Sequence, residues 1–92
     1  MDYVKVTWVD TQGMDGPWVS REDVLEMEPI MMVTLGYLIE HDDDCVIVAG
    51  TKSECNTCYG NVNCIPRCCV RCIQPLNIDC EYLCPQEDCC SK

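Results

Sequence analysis

Cysteine is the residue type with the widest chemistry in this chain, and it is unevenly placed. Eleven of the 92 residues are cysteine, and none precedes Cys45. The stretch CNTCYGNVNCIPRCCVRC, residues 55–72, contains two C-x-x-C pairs, Cys55–Cys58 and Cys69–Cys72. Such pairs can hold a metal ion, form a disulfide, or supply small apolar side chains to a core.

The first interpretation of the pairs is a zinc site. Four thiolates bind Zn²⁺ tetrahedrally, and a C-x-x-C turn lets two of them reach one ion. The predicted zinc ligands are Cys55, Cys58, Cys69 and Cys72. A second set, less regular in spacing, follows towards the C-terminus: Cys80, Cys84, Cys89 and Cys90. The ten-residue spacer between the first two pairs is shorter than that of a common zinc ribbon, so the other interpretations stay open.

Those other interpretations divide the cysteines by position. An odd count excludes complete pairing within one chain, and a reducing cytosol disfavours native disulfides. Cysteines in or beside predicted strands are expected to be apolar core side chains: Cys45, Cys64, and one of Cys68 and Cys69. The Cys55–Cys58 pair lies in a predicted loop, where a role as metal ligand or disulfide is favoured over a role in the core.

The chain is not predicted to be an enzyme. A catalytic thiol needs a nearby base, and the one histidine, His41, lies beside three aspartates in a predicted turn. A redox C-x-x-C pair of the thioredoxin kind belongs to a βαβ unit, and the chain has no βαβ pattern. Thiol–disulfide exchange that depends on Cys55 ranks only third among the alternatives, after protein binding and zinc binding.

Length and charge limit the remaining functions. A chain of 92 residues forms one domain with a small core. The net charge is −10, and residues 1–52 hold eleven of the sixteen acids. Because neutralising phosphate needs Lys and Arg, direct nucleic-acid binding is not expected and a basic partner is favoured. The start MDYVKVTWVD lacks the features of a signal peptide, and no apolar run reaches 18 residues, so we expect a cytoplasmic protein that does not bind membranes.

The elements that carry these residues are predicted to be mostly strands. Alternation in YVKVTWV, residues 3–9, predicts a half-buried strand. Further strands are predicted at 18–20, 30–40, 45–51, 61–66 and 70–76, with short helices at 20–28 and 67–69. Gly36 indicates a bulge or bend, and the bulky core members are expected to be Trp8, Trp18 and Tyr37. This pattern predicts a small, partly open β-barrel over residues 1–76, followed by a cysteine-rich extension at 77–92.

Three segments resemble a group of small phage-encoded proteins: VKVTWVDTQG with GPWVSREDV, TLGYLIEHDDDCVIVAG, and YGNVNCIPRCCVRCIQPL. The group combines W-x-D, G-W-V, V-G-Y-L-I and Y-G-x-V-x-x-I-P-x-x-C-I motifs. The resemblance covers residues 3–76 and implies a small barrel of the Src-homology-3 kind that acts in the cytoplasm of a bacterial host. It implies no catalytic residues, and the Cys55–Cys58 pair and the C-terminal cysteines depart from the group's pattern.

Acidity and the resemblance together predict a protein-interaction module. The most specific version of this prediction is an inhibitor, such as an anti-CRISPR factor, that masks a basic surface on a bacterial host or defence protein. Nine carboxylates would supply the contact: Asp10, Asp15, Glu22, Asp23, Glu26, Glu28, Asp42, Asp43 and Asp44. Six of them are the predicted partner-binding residues: Asp42, Asp43, Asp44, Glu22, Asp23 and Glu26. The alternatives are a structural zinc-binding protein or a phage accessory protein without an inhibitory role, and a homo-oligomer stays open.

Overall fold

The computed structural model describes residues 1–77. Its elements are β1 (Tyr3–Asp10), α1 (Arg21–Leu25), β2 (Ile30–His41), β3 (Cys45–Lys52), β4 (Tyr59–Pro66), a 3-10 turn (Arg67–Cys69) and β5 (Val70–Leu76). The prediction of a mainly β fold with a short helix is confirmed. The predicted strand at residues 18–20 is wrong, because this segment is an irregular stretch that leads into α1. The predicted extension lies, from residue 78 on, outside the described residues.

The five strands form one antiparallel sheet in the order β4-β3-β2-β1-β5. The two edge strands, β4 and β5, do not pair with each other, so the sheet is open and the predicted barrel is not closed. Each edge strand contains a proline, Pro66 in β4 and Pro75 in β5, and proline cannot donate to a ladder. The 3-10 turn carries the chain from one edge to the other and contacts β1 and β3.

The core of the described residues is small and lies on the inner face of the sheet. Its fully buried members are Val4, Val6, Val46, Val48 and Ile65. Trp8, Leu38, Cys69, Val70 and Ile73 pack against them as partly buried side chains. Trp8 also donates its indole N–H to Thr34 Oγ1 at 2.9 Å, so its one polar group is satisfied. The cluster contains residues of both β1 and β3, although β2 lies between these two strands in the sheet. The sheet must therefore curl around the cluster.

Gly36 of β2 permits that curl by close approach. It pairs with Val4 of β1, and a Cβ added to it would lie 2.6 Å from the carbonyl oxygen of Ala49 in β3. The same Cβ would lie 3.2 Å from Val48 Cγ1, so the Val48 side chain fills the space above the glycine. The register irregularity predicted at this glycine lies instead further along β2, between Leu38 and Glu40.

A long connection, residues 11–29, joins β1 to β2 and holds α1. Ser20 caps the helix as predicted, since its Oγ accepts the backbone N–H of Asp23 at 3.2 Å. The helix buries none of its residues. Trp18, predicted as a core residue, is 92% exposed in this connection. In residues 1–77 there is no helix with the length and apolar character needed to cross a membrane.

Candidate functional site

The loop between β3 and β4 places the Cys55–Cys58 pair on a braced turn. Ser53 Oγ accepts the backbone N–H groups of Thr57 at 3.1 Å and Cys58 at 3.0 Å. The Ser53 N–H in turn donates to the Cys58 carbonyl at 2.9 Å, which closes the loop. Asn56 takes a left-handed backbone conformation at φ 62°, which asparagine tolerates better than most residues. Hydrogen bonds among the loop's own polar groups therefore define its conformation.

Cys55 Sγ lies between two hydroxyl groups. Thr57 Oγ1 is 2.9 Å from it and Ser53 Oγ is 3.5 Å from it. Ser53 Oγ already accepts two N–H groups, so its own proton is free to point at the sulfur. These bonds, led by that from Thr57, favour the thiolate and lower the pKa of Cys55 from 9.0 to about 7. The thiolate is the form of cysteine that acts as a nucleophile or binds a metal ion.

The remaining described cysteines have other surroundings. Cys45 is half-buried, and its hydrogen bond with Cys64 and its desolvation raise the pKa of its thiol. Cys64 is exposed on edge strand β4, so its prediction as a core side chain is wrong. Cys69 is half-buried against the core, and burial, followed by the Cys68 thiol, raises its pKa. The raised pKa values make Cys45 and Cys69 poorer nucleophiles at neutral pH than Cys55.

The structure does not bring the two C-x-x-C pairs together. Cys55 and Cys58 follow β3 in the loop at the β4 edge, whereas Cys69 lies in the 3-10 turn and Cys72 in β5, the opposite edge strand. Across residues 1–77, no three Cys, His, Asp or Glu side chains are grouped as metal ligands would be. The second predicted set, Cys80, Cys84, Cys89 and Cys90, lies outside the described residues. Zinc binding stays a prediction, which metal analysis of protein purified under reducing conditions would test.

The predicted partner-binding acids fall into two groups at opposite ends of β2. Glu22, Asp23 and Glu26 lie in and just after α1, before the strand begins. Asp42, Asp43 and Asp44 form the turn after it ends. At about 3.3 Å per residue, the 12-residue strand separates the groups by roughly 35–40 Å along its length. The acids therefore form two separate patches rather than one continuous surface.

Asp42 has a structural role within its patch. Its Oδ1 accepts the backbone N–H of Asp44 at 2.8 Å and of Cys45 at 2.9 Å. These bonds hold the pKa of Asp42 below its ordinary value of 3.8, with the Cys45 bond as the largest cause. The Asp42 carboxylate shapes the turn between β2 and β3, whereas the carboxylates of Asp43 and Asp44 make no hydrogen bond of this kind within residues 1–77.

An exposed apolar stretch, residues 14–35, is the feature that the sequence prediction missed. Among residues 1–77, thirteen large hydrophobic side chains are exposed, and ten lie in this stretch. They are Met14, Trp18, Val19, Val24, Leu25, Ile30, Met31, Met32, Val33 and Leu35. The signal was present in Ile30–Leu35, which is apolar on both faces. Such a strand predicts burial on both sides, and within residues 1–77 neither side of this segment is fully covered.

Comparison with known proteins identified no relative of the chain. No protein-family model matches the chain, and no curated protein or solved structure was found to be similar to it. The resemblance to small phage-encoded proteins therefore stays a prediction.

Proposed function

We propose that the chain is a protein-interaction module that binds its partner through the exposed apolar stretch, residues 14–35. The observation that carries this proposal is the concentration of ten of the thirteen exposed large hydrophobic side chains in that one stretch. Scattered apolar side chains are normal on a protein surface, but a contiguous set marks a binding surface, and Met31, Val33 and Leu35 are contiguous on one face of β2. The stretch covers the whole of α1 and the first half of β2, so a partner would contact both.

Trp18 is the expected anchor of the contact. It is 92% exposed, although a tryptophan side chain gains more from burial than almost any other. Burial against a partner would remove most of this surface from water, and tryptophan is enriched among the residues that dominate binding energies. Pro17 directly before it has a fixed φ and α1 begins three residues after it, so the chain on both sides of Trp18 is partly restrained before binding.

The β2 part of the stretch supplies an apolar strip on one face of the sheet. Met31, Val33 and Leu35 alternate along the strand and share its outer face, and they are 56%, 56% and 50% exposed. On β1 they lie opposite Val9, Thr7 and Lys5, so the strip continues into a mixed surface. Strand residues are held by the sheet, so this part of the surface is already in place before a partner binds.

Charge supports a more specific form of the proposal. Glu22, Asp23 and Glu26 lie within the exposed stretch, and the chain carries a net charge of −10. Acids beside an apolar anchor favour a partner that combines apolar and basic groups, because charge complementarity speeds encounter and rejects acidic partners. Together with the resemblance to phage proteins, this leads us to propose a bacterial host or defence protein whose basic surface the chain would mask. Self-association is the competing assembly.

The experiment compares capture of partners from bacterial lysate by the wild type and by two variants. Trp18→Ala removes the anchor, and Val62→Ala is the matched control because Val62 is 53% exposed on edge strand β4. Both variants should unfold at the wild-type temperature. A partner of the proposed surface should bind Trp18→Ala at least about 30-fold more weakly, as expected for a hot spot of about 2 kcal/mol, and bind Val62→Ala normally.

Two results would contradict the proposal. Equal capture by the wild type and Trp18→Ala would show that the exposed stretch is not the binding surface. An affinity that stays constant between low and high salt would rule out the masking of a basic surface, while leaving the apolar contact intact. Sedimentation of the purified chain over a range of concentrations separates self-association from binding to another protein.

A further inference from the structure

We propose that Cys55 and Cys58 form a redox-active dithiol that exchanges with small-molecule disulfides. The proposal rests on the arrangement of the loop rather than on the C-x-x-C spacing alone. Thr57 Oγ1 lies 2.9 Å from Cys55 Sγ and 3.9 Å from Cys58 Sγ, so one hydroxyl group bridges the two sulfurs. Both cysteines are exposed, which a reaction with a dissolved disulfide requires.

The loop distinguishes the two sulfurs. Cys55 Sγ has a second hydroxyl, that of Ser53, at 3.5 Å, whereas Cys58 is held by its backbone, through the bond of its N–H to Ser53 Oγ. While Cys55 is a thiol, the single proton of the Thr57 hydroxyl points at Cys58 Sγ. When Cys55 ionises, this proton can turn to Cys55 Sγ, where with the Ser53 hydroxyl it stabilises the thiolate. Cys55 is therefore the attacking sulfur and Cys58 the resolving one. The usual redox C-x-x-C opens a helix, and here two hydroxyl groups of a hairpin loop supply the polarisation that a helix N-terminus supplies there.

The reaction balances with a low-molecular-weight disulfide such as oxidised glutathione as the oxidant. The Cys55 thiolate attacks one sulfur of the disulfide, forms a mixed disulfide and releases one thiolate, which takes up a proton. Cys58 then loses its proton to solvent and attacks the Cys55 sulfur. This step forms the Cys55–Cys58 bond and releases the second thiol. In total, the dithiol is oxidised, one small disulfide is reduced, and two small thiols leave.

The first test measures alkylation of Cys55 by iodoacetamide at pH 7 in the presence of a metal chelator. Cleavage after Lys52 and Arg67 gives one peptide that contains Cys55, Cys58 and Cys64, and tandem mass spectrometry assigns the modified sulfur. The hydroxyl contacts at Cys55 Sγ favour its thiolate in the folded chain, and unfolding removes them. The folded chain should therefore react at least about threefold faster at Cys55 than the urea-unfolded chain.

Thr57→Val tests the hydroxyl directly, because it keeps the shape of the side chain and removes its oxygen. The alkylation rate of Cys55 should fall towards that of the unfolded chain. Thr51→Val is the matched control, since Thr51 is exposed on β3 of the same hairpin and does not contact the sulfur, and it should react like the wild type. Equal rates in the folded and unfolded chains, or an unchanged rate in Thr57→Val, would overturn the proposal.

The second test incubates the chain with mixtures of reduced and oxidised glutathione. The wild type should form the Cys55–Cys58 disulfide, and Cys58→Ser should accumulate glutathione on Cys55 instead, because the resolving thiol is absent. A wild type that retains as much glutathione on Cys55 as Cys58→Ser, or that joins either cysteine to Cys64, would overturn the dithiol. Neither test involves Trp18, so the proposed binding function can fail or stand independently.

Discussion

At the residue scale, the turn between β2 and β3 depends on one carboxylate. Asp42 accepts two backbone N–H groups, from Asp44 and Cys45, and its own N–H donates to the Cys45 carbonyl at 3.0 Å. These three hydrogen bonds of Asp42 stabilise the reversal of the chain between β2 and β3. The Asp44 carbonyl then accepts the N–H of Arg67 at 2.9 Å, so the turn also anchors the start of the 3-10 turn.

Asp42→Ala should lower the urea midpoint of unfolding at pH 7. The folded-state pKa of Asp42 lies below 3.8, so its contribution is fully present above that value and is lost as the pH falls through the folded-state pKa. The difference between wild type and variant should therefore shrink below pH 3.8. Asp43→Ala is the control, because it removes a charge from the same turn and neither of these bonds. A difference between wild type and Asp42→Ala that is the same at pH 7 and pH 3 would contradict this account.

At the residue scale the sequence also allowed part of the cysteine site to be predicted. The position of the Cys55–Cys58 pair in a loop, outside the strands that hold Cys45 and Cys64, could be predicted from the residue pattern. The two hydroxyl groups at Cys55 Sγ could not, because the contact depends on the left-handed turn at Asn56 and on Ser53 reaching across the loop. Such contacts follow from backbone geometry, which a residue pattern does not specify.

At the element scale, Gly36 sets the spacing between β2 and β3. Gly36→Ala should destabilise the fold by about 2 kcal/mol or more, because the new Cβ meets a backbone carbonyl that can move only with its strand. Gly13→Ala is the matched control, since a Cβ at Gly13 has no atom within 4 Å among the described residues, and its effect should stay within about 0.5 kcal/mol. Chemical denaturation measures the free energy of unfolding of both variants. Equal changes in the two would show that β3 moves away from the new Cβ at little cost in free energy.

The elements themselves were predictable to different degrees. Alternation identified β1, with Val4 and Val6 inward, and the apolar runs identified β2 and β3. The segment at Trp18 was predicted as a buried strand because aromatic and β-branched residues favour strands. Within residues 1–77 it has neither a partner strand nor cover. Local preference cannot form a strand where no neighbour is available to pair with it.

At the scale of the whole molecule, stability depends on very few side chains. Only five large side chains of residues 1–77 form the buried cluster, so each carries a large share of the core. Small domains bury little surface and have small stability margins. Most of the apolar residues of β2 lie on the outside and add nothing to this core.

Val6→Ala should therefore destabilise the fold by about 2 kcal/mol or more, because Val6 is 0% exposed and its loss leaves a cavity between β1 and β3. Val62→Ala deletes the same atoms from an exposed edge-strand residue and should change the free energy of unfolding by less than about 0.5 kcal/mol. Thermal and urea unfolding of the two variants give the comparison. Equal losses for both would mean that the cluster is not the main source of stability.

The order of the strands has a consequence for how the chain folds. β1 is a central strand whose two neighbours are β2 and β5, so Tyr3 pairs with Leu76 across nearly the whole described chain. Hairpins β1–β2, β2–β3 and β3–β4 can form as soon as their residues leave the ribosome, but one side of β1 stays unpaired until β5 has been made. Closing that long loop is the costly step in entropy. Until it occurs, the nascent chain has an open edge of apolar strand, and this is the stage at which it is most exposed to mispairing.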